Sequence, residues 1–104
     1  MTRVAAFDCG TNSLRLLVTD LADGMQRDLH REMRIVRLGQ GVDRTGRLAP
    51  EAIERTRKAL LGYATEIAEL GVSRVRMCAT SASRDAANAA EFTAMVRATL
   101  GVDP

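Results

Sequence analysis

Residues 4–18 read Val4-Ala5-Ala6-Phe7-Asp8-Cys9-Gly10-Thr11-Asn12-Ser13-Leu14-Arg15-Leu16-Leu17-Val18. The fold follows from how this stretch divides. Val4 to Phe7 is a short apolar run, flanked like a buried strand, and Leu14 to Val18 is a second. The small polar residues between them predict a β-hairpin with strands over 2–8 and 14–21. An ordinary hairpin needs only Asn-Gly or Asp-Gly at its turn, whereas this one offers Gly10, Thr11, Asn12 and Ser13. Gly10 is expected to take a positive φ and to admit a ligand where a Cβ would stand in the way. Successive amides in such a turn can converge on an anion, with the Thr11 and Ser13 hydroxyls and the Asn12 amide as added donors. Asp8 is an unlikely residue to bury unpaired, and a carboxylate beside a phosphate cradle makes sense with a hard cation between them. Mg²⁺ fits that role, because it keeps several waters and uses one or two carboxylates plus phosphate oxygens. A plain hairpin, whose Asp and Asn only shape the turn, accounts for the same string equally well. The turn is not a Walker loop, since no Gly-Lys-Ser/Thr follows it.

A chain of 104 residues is one domain at most, with room for a small core. Hydrophobic residues at 46% and charged residues at 27% describe a soluble globular protein and exclude a disordered one. Aromatic residues at 3% weaken a single-stranded nucleic-acid reading that relies on stacking platforms. The formal charge of +2 is compatible with a polyanionic ligand without arguing for one. No apolar run reaches the length of a membrane helix and no signal pattern opens the chain, so a cytoplasmic protein is expected. Cys9 and Cys78 each lie in an apolar strand-like run. They form no Cys-x-x-Cys pair and are expected to be buried free thiols.

Downstream, Asp23-Gly24 signals a turn and Met25 to Leu38 reads as a third strand. Its alternation is imperfect: Leu29, Met33 and Ile35 share a parity with Arg27, Arg31 and Arg37. Interleaved with Asp28 and Glu32, the arginines read chiefly as a solvated edge with local ion pairs. A basic groove tracking a polyanion is the weaker alternative. Gly39 to Gly46 is glycine-rich. It carries Arg44 at the third fingerprint position and is expected to open no immediate helix, so the pattern does not support a dinucleotide-binding turn.

Pro50 to about Leu70 is predicted helical, with Pro50 at its first position and Glu51 and Glu54 near its positive end. Ile53, Leu60, Ala64, Ile67 and Gly71 recur at helical spacing as its core stripe. Glu54 and Lys58 form an i,i+4 pair, and Gly71 stops the helix. Val72 to Thr80 reads as a fourth strand with Val75, Met77 and Ala79 on one face and Arg74 and Arg76 on the other. Thr80 to Asp85 leave its C-terminal end, where ligand groups gather in open parallel sheets. Asn88 and Glu91 predict a capping box for a helix from Ala89 to about Leu100. Gly101 closes that helix, and Phe92, Met95, Val96 and Leu100 form its buried stripe. The order β-β-β-α-β-α implies an α/β mixed sheet with helices covering its faces, stopping before a fifth strand.

Three stretches together resemble the exopolyphosphatase / guanosine pentaphosphate phosphatase (Ppx/GppA) family: residues 4–18 quoted above, Arg37-Leu-Gly-Gln-Gly-Val-Asp-Arg-Thr-Gly-Arg-Leu48, and Ala79-Thr-Ser-Ala-Ser-Arg-Asp-Ala-Ala-Asn88. The first stretch alone is shared with sugar kinases, actin and seventy-kilodalton chaperones, whereas the other two are specific. The resemblance spans almost the whole chain. It implies the ribonuclease-H-like, actin-type fold, with residues 1–104 as part of an N-terminal domain and the second domain absent. It further implies that Asp8 holds Mg²⁺ or its water, that Gly10, Thr11, Asn12 and Ser13 cradle terminal phosphates, and that Arg84 binds phosphate across the cleft. An arginine suits that role, since it grips two oxygens in a fork and keeps its charge. A surface ion pair of Arg84 with Asp85 is the alternative. The family's water-activating glutamate would lie beyond Pro104. The implied parent therefore hydrolyses polyphosphate or guanosine pentaphosphate, and the 104-residue piece is expected to be inactive. A non-catalytic phosphate-binding module, or half of an actin-like sugar kinase or ATPase, remains an alternative reading. No membrane or nucleic-acid partner is expected. Self-association through the open edge at Val72–Ala79 is expected, and the parent could be a homodimer.

Overall fold

The computed structural model describes the backbone of residues 1–104 and every side chain except those of residues 81 and 82. The leading hairpin is β1 (Thr2–Cys9) and β2 (Ser13–Ala22), and β3 (Met25–Ile35) follows it. Then come a one-turn helix α1 (Val42–Thr45), the long helix α2 (Pro50–Glu69), β4 (Arg74–Ala79), a short helix α3 (Ser81–Asp85) and α4 (Ala89–Leu100). The strands lie in the order β3-β2-β1-β4. β1 runs antiparallel to β2 and parallel to β4, which makes the sheet mixed as expected. Asp23 and Gly24 have φ of 50° and 77°, the twin left-handed conformations of the tight β2–β3 hairpin turn.

Alternation along the strands puts Ala5, Phe7, Cys9, Leu14, Leu16, Val18 and Met77 on one face. There they bury against Leu60, Tyr63 and Ile67 of α2 and Phe92 and Val96 of α4. Each fully buried side chain of this size contributes about 1.5–3 kcal/mol by leaving water. The opposite face presents Ala6, Asp8, Arg15, Met33 and Cys78, all exposed. The two long helices thus cover one face, not both as expected, because α2 and α4 pack against each other on the same side of the sheet. Cys78 lies on the uncovered face and is exposed, against its expected burial, while Cys9 is buried; both are free. An apolar run in an outer strand does not reveal which of its faces is covered.

In β3 the irregular parity has a structural cause. Val18 pairs with His30 and Thr19 with Asp28, so Leu29 is an extra residue in a β-bulge. The strand ends at Ile35 rather than Leu38. The Val36 and Arg37 amides both turn to the Asn12 carbonyl, each at 2.9 Å, and Arg37 adopts a φ of 51°. α1 opens directly after Gly41, where no helix was expected. Gly41 and Gly46, with φ of 77° and 69°, bracket only four residues, too few to show an apolar periodicity.

Helix α2 spans the expected residues and ends before Gly71, whose φ is 72°. Its buried stripe is Ala52, Thr56, Ala59, Leu60, Tyr63 and Ile67, rotated from the expected one, and Ile53 and Ala64 lie at its margin. Thr56 tolerates full burial because its hydroxyl donates to the Ala52 carbonyl at 2.9 Å. Glu54 pairs with Arg57 rather than Lys58. The C-terminal end of α2 is held by Arg3, which donates to both Asp20 carboxylate oxygens at 2.7 and 3.1 Å and to the Leu70 carbonyl at 2.5 Å.

Asn88 precedes α4 but makes no side-chain cap. Its amide instead behaves like a strand neighbour to Leu48: Oδ1 accepts from the Leu48 N–H at 2.8 Å, and Nδ2 donates to the Leu48 carbonyl at 2.9 Å. A long-range backbone partner outcompeted the local capping box. No helix among the described residues is long and apolar enough to cross a membrane.

Candidate functional site

The turn from Gly10 to Ser13 is shaped from behind by the segment that follows β3. The Asn12 carbonyl accepts the Val36 and Arg37 amides, and the Thr11 carbonyl accepts the Gly39 amide at 2.8 Å. The Gly10 amide closes the turn on the Ser13 carbonyl at 2.8 Å. Among the described residues, the Thr11 and Asn12 amides have no hydrogen-bond partner, and both residues are exposed. With its carbonyls engaged and two amides left over, the turn is polarised toward an anionic ligand.

Gly10 does not take the expected positive φ. A Cβ there would meet only the Ser13 carbonyl oxygen at 3.5 Å and Oγ at 3.9 Å, which is ordinary contact. The glycine that the turn requires is Gly39, where a Cβ would stand 2.3 Å from Thr11 Cγ2. Sequence reading missed this residue, and it missed Arg37. Arg37 lines with Thr11, Asn12, Ile35, Gly39 and Gln40 an open depression of about 510 Å³. Arg37 is exposed on a strained left-handed backbone beside the free amides, a placement that no local pattern encodes. The segment is braced in turn by Arg55, which donates to the Val36 carbonyl at 2.9 Å and to Gln40 Oε1 at 2.6 Å.

Asp8 lies two residues before Gly10, on the uncovered face. It pairs across the ladder with Arg15 and Cys78 but makes no ion pair among the described residues. An exposed, unclaimed carboxylate at this position has the hard oxygen donors that Mg²⁺ takes. Its neighbour Cys9 points the other way, into the core. Burial first, and then the Asp8 charge, push the Cys9 thiol up to about 12, so it is neither a nucleophile nor a metal ligand near neutral pH.

Arg84 sits in the last turn of α3, exposed, with no ion pair to Asp85 among the described residues. The Thr80 amide bonds the Cys9 carbonyl at 3.1 Å, so α3 and the Gly10 turn leave the sheet from the same end. The arginines of β3 do not share a groove. Arg31 is bound to Asp28 at 2.7 Å on the uncovered face, and Arg34 lies over the Tyr63 ring on the helix side, 5.5 Å from its centroid.

Comparison with known proteins agrees with this architecture. The sequence pattern of the Ppx/GppA phosphatase family matches residues 17–103. Exopolyphosphatase 2 of Mycobacterium tuberculosis is 59% identical over 105 residues, covering 97% of this chain and 33% of that protein. Among solved structures, an Aquifex aeolicus Ppx/GppA family member superposes with a TM-score of 0.91 at 39% identity, over 98% of this chain and 33% of its own. An exopolyphosphatase from Cytophaga hutchinsonii superposes with a TM-score of 0.91 at 28% identity, over 98% and 33%. The chain thus spans about a third of the length of these relatives. Its mixed four-stranded sheet is the actin-like, ATPase-type arrangement that they share. Sequence and backbone lead to the same conclusion, that this chain belongs to the Ppx/GppA phosphatase family.

Proposed function

We propose that this chain supplies the phosphate-gripping side of a cleft that releases terminal phosphate from linear polyphosphate or guanosine pentaphosphate. The observation that carries the reading is the polarised turn: the carbonyls of Thr11 and Asn12 are occupied, while their amides are unpartnered among the described residues. Gly10, Thr11, Asn12 and Ser13 hold terminal phosphate oxygens, and Asp8 holds Mg²⁺ or one of its waters. Bound there, Mg²⁺ supplies neutralisation of phosphoryl charge. Arg84 closes on two phosphate oxygens from α3, and its permanent charge suits a polyanion. In-line attack by water also needs a group that orients or deprotonates the water. These residues offer candidates for positioning and neutralisation, so residues 1–104 alone bind the anion without turning it over.

Calorimetric titration of the chain with polyphosphate, in Mg²⁺ and again in EDTA, tests the binding. Asp8→Asn is expected to remove the Mg²⁺-dependent part of the affinity. Arg84→Ala should remove about 1.5–3 kcal/mol, the worth of hydrogen bonds to a charged group. Binding indifferent to both changes refutes the assignment, and phosphate release with real turnover by the 104 residues refutes their inactivity.

A further inference from the structure

The bulge at Leu29 sets the next residues of β3 facing α2, and it brings together three side chains that the phosphate site does not use. His30 and Glu32 share the helix side of β3, and Glu66 reaches them from the last turns of α2. His30 Nε2 stands 2.8 Å from Glu32 Oε2 and 3.7 Å from Glu66 Oε2. Each residue offers one ligand atom, and all three atoms lie within 4.8 Å of one another. Glu66 Oε2 is shut off from solvent and accepts no hydrogen bond among the described residues. The Glu66 side chain as a whole is partly exposed, but with the His30 ring nitrogen beyond hydrogen-bond reach this shielded oxygen keeps its lone pairs open to a cation.

We propose that His30, Glu32 and Glu66 form a binding site for a divalent transition ion of the zinc class, which staples the edge strand β3 to α2. The spacing suits the ion. Ligands at about 2.0–2.2 Å around a tetrahedral zinc are roughly 3.4 Å apart, and the two distances from His30 bracket that value. One borderline imidazole nitrogen beside two hard carboxylate oxygens is a set that zinc takes, whereas magnesium prefers oxygen alone and copper(I) prefers sulfur. Three protein ligands leave a fourth position for water. Arg34, the nearby guanidinium, is engaged with Tyr63. The site is separate from the phosphate turn. His30 is five residues along β3 from Ile35, which pairs with Ser13, a span of about 17 Å, and it faces the side of the sheet opposite Asp8.

Titrating the EDTA-treated chain with zinc chloride at pH 7.5 tests the site. The expected result is one equivalent bound, a melting temperature that rises with zinc, and a shift of the imidazole nitrogen resonances. Those resonances need no assignment, because the sequence has a single histidine. His30→Gln and Glu66→Gln should each weaken zinc by at least about tenfold. The exposed thiol control Cys78→Ser should leave the affinity unchanged. Both ligand side chains are partly exposed, and far-UV circular dichroism confirms that the variants fold. No zinc-dependent change in the imidazole resonances of the parent chain overturns the proposal, as does zinc binding that survives both substitutions or that Cys78→Ser abolishes.

Discussion

Replacing Gly39 with alanine would place a Cβ 2.3 Å from Thr11 Cγ2 and 3.4 Å from the Thr11 carbonyl oxygen. The first distance is more than an ångström short of ordinary contact, so something must move. Thr11 can leave its rotamer, at about 0.5–1.5 kcal/mol, or the backbone can retreat and lengthen the hydrogen bond from the Gly39 amide to the Thr11 carbonyl. Overpacking of this kind costs about 1–3 kcal/mol. For a domain of this size, each kcal/mol corresponds to a fall in melting temperature of about 4–8 °C. The clash is with the Thr11 methyl alone, and Thr11→Ser removes that methyl while keeping the hydroxyl. Urea denaturation of wild type, Gly39→Ala, Thr11→Ser and the double variant closes a thermodynamic cycle. The double variant is expected to recover most of the loss, with a coupling energy of at least about 1 kcal/mol. Polyphosphate affinity should follow the same pattern, because the segment that Gly39 admits holds the turn's carbonyls away from the ligand. A Gly39→Ala variant within about 0.5 kcal/mol of wild type, with no coupling to Thr11→Ser, refutes the view that the 36–39 segment seats directly on the turn.

Asn88→Ala removes both hydrogen bonds to Leu48 in a buried setting, and a loss of about 2–4 kcal/mol in urea stability is expected; an unchanged midpoint contradicts the backbone-mimicking role. Arg3 beside Asp20 holds the Asp20 carboxyl below its ordinary value. Its stabilisation is therefore fully present above the unfolded-state value near 3.9 and lost as pH falls through the lower folded-state value. Asp20→Asn should flatten the acid limb of the stability profile below the unfolded-state value, and an unaltered limb would show that Asp20 carries no pH dependence. A thiol reagent at pH 8 should modify the exposed Cys78 rapidly and the buried Cys9 only as the chain unfolds. Equal rates would place Cys9 outside the core. Among the described residues β4 has no partner on its outer side, so self-association through that edge should appear in sedimentation equilibrium as a concentration-dependent mass. A monomer at all accessible concentrations speaks against it.

The hairpin, α2 and α4 were legible because each announces itself locally, through apolar runs, a helical period, a starting proline or a stopping glycine. The features that shape the site are not local. Gly39 matters because of Thr11, twenty-eight positions earlier in the chain, and its backbone conformation is ordinary. Gly10 drew attention as a glycine in a polar turn, yet the space around it would accept alanine. Thr56 and Tyr63 belong to the buried stripe of α2 although both carry a hydroxyl. One satisfies its hydroxyl within its own helix, and the other packs its ring on Phe7 with centroids 6.0 Å apart. Asn88 carried a capping signature, but the unpaired backbone of Leu48 was the stronger claimant.

The extra residue in β3 has a bearing on comparisons between chains of different length. Because Thr19 meets Asp28 and Val18 meets His30, removing Leu29 would leave both neighbours opposite the partners they already have. The sheet can therefore shorten by one residue at that point and keep every outward group outward. The same deletion anywhere from Met33 to Ile35 would interchange the two sides of the strand between the bulge and the gap, pulling the histidine and the glutamate away from the long helix. Position 29 is where this edge tolerates a gap, and an alignment that places the gap elsewhere describes a different sheet.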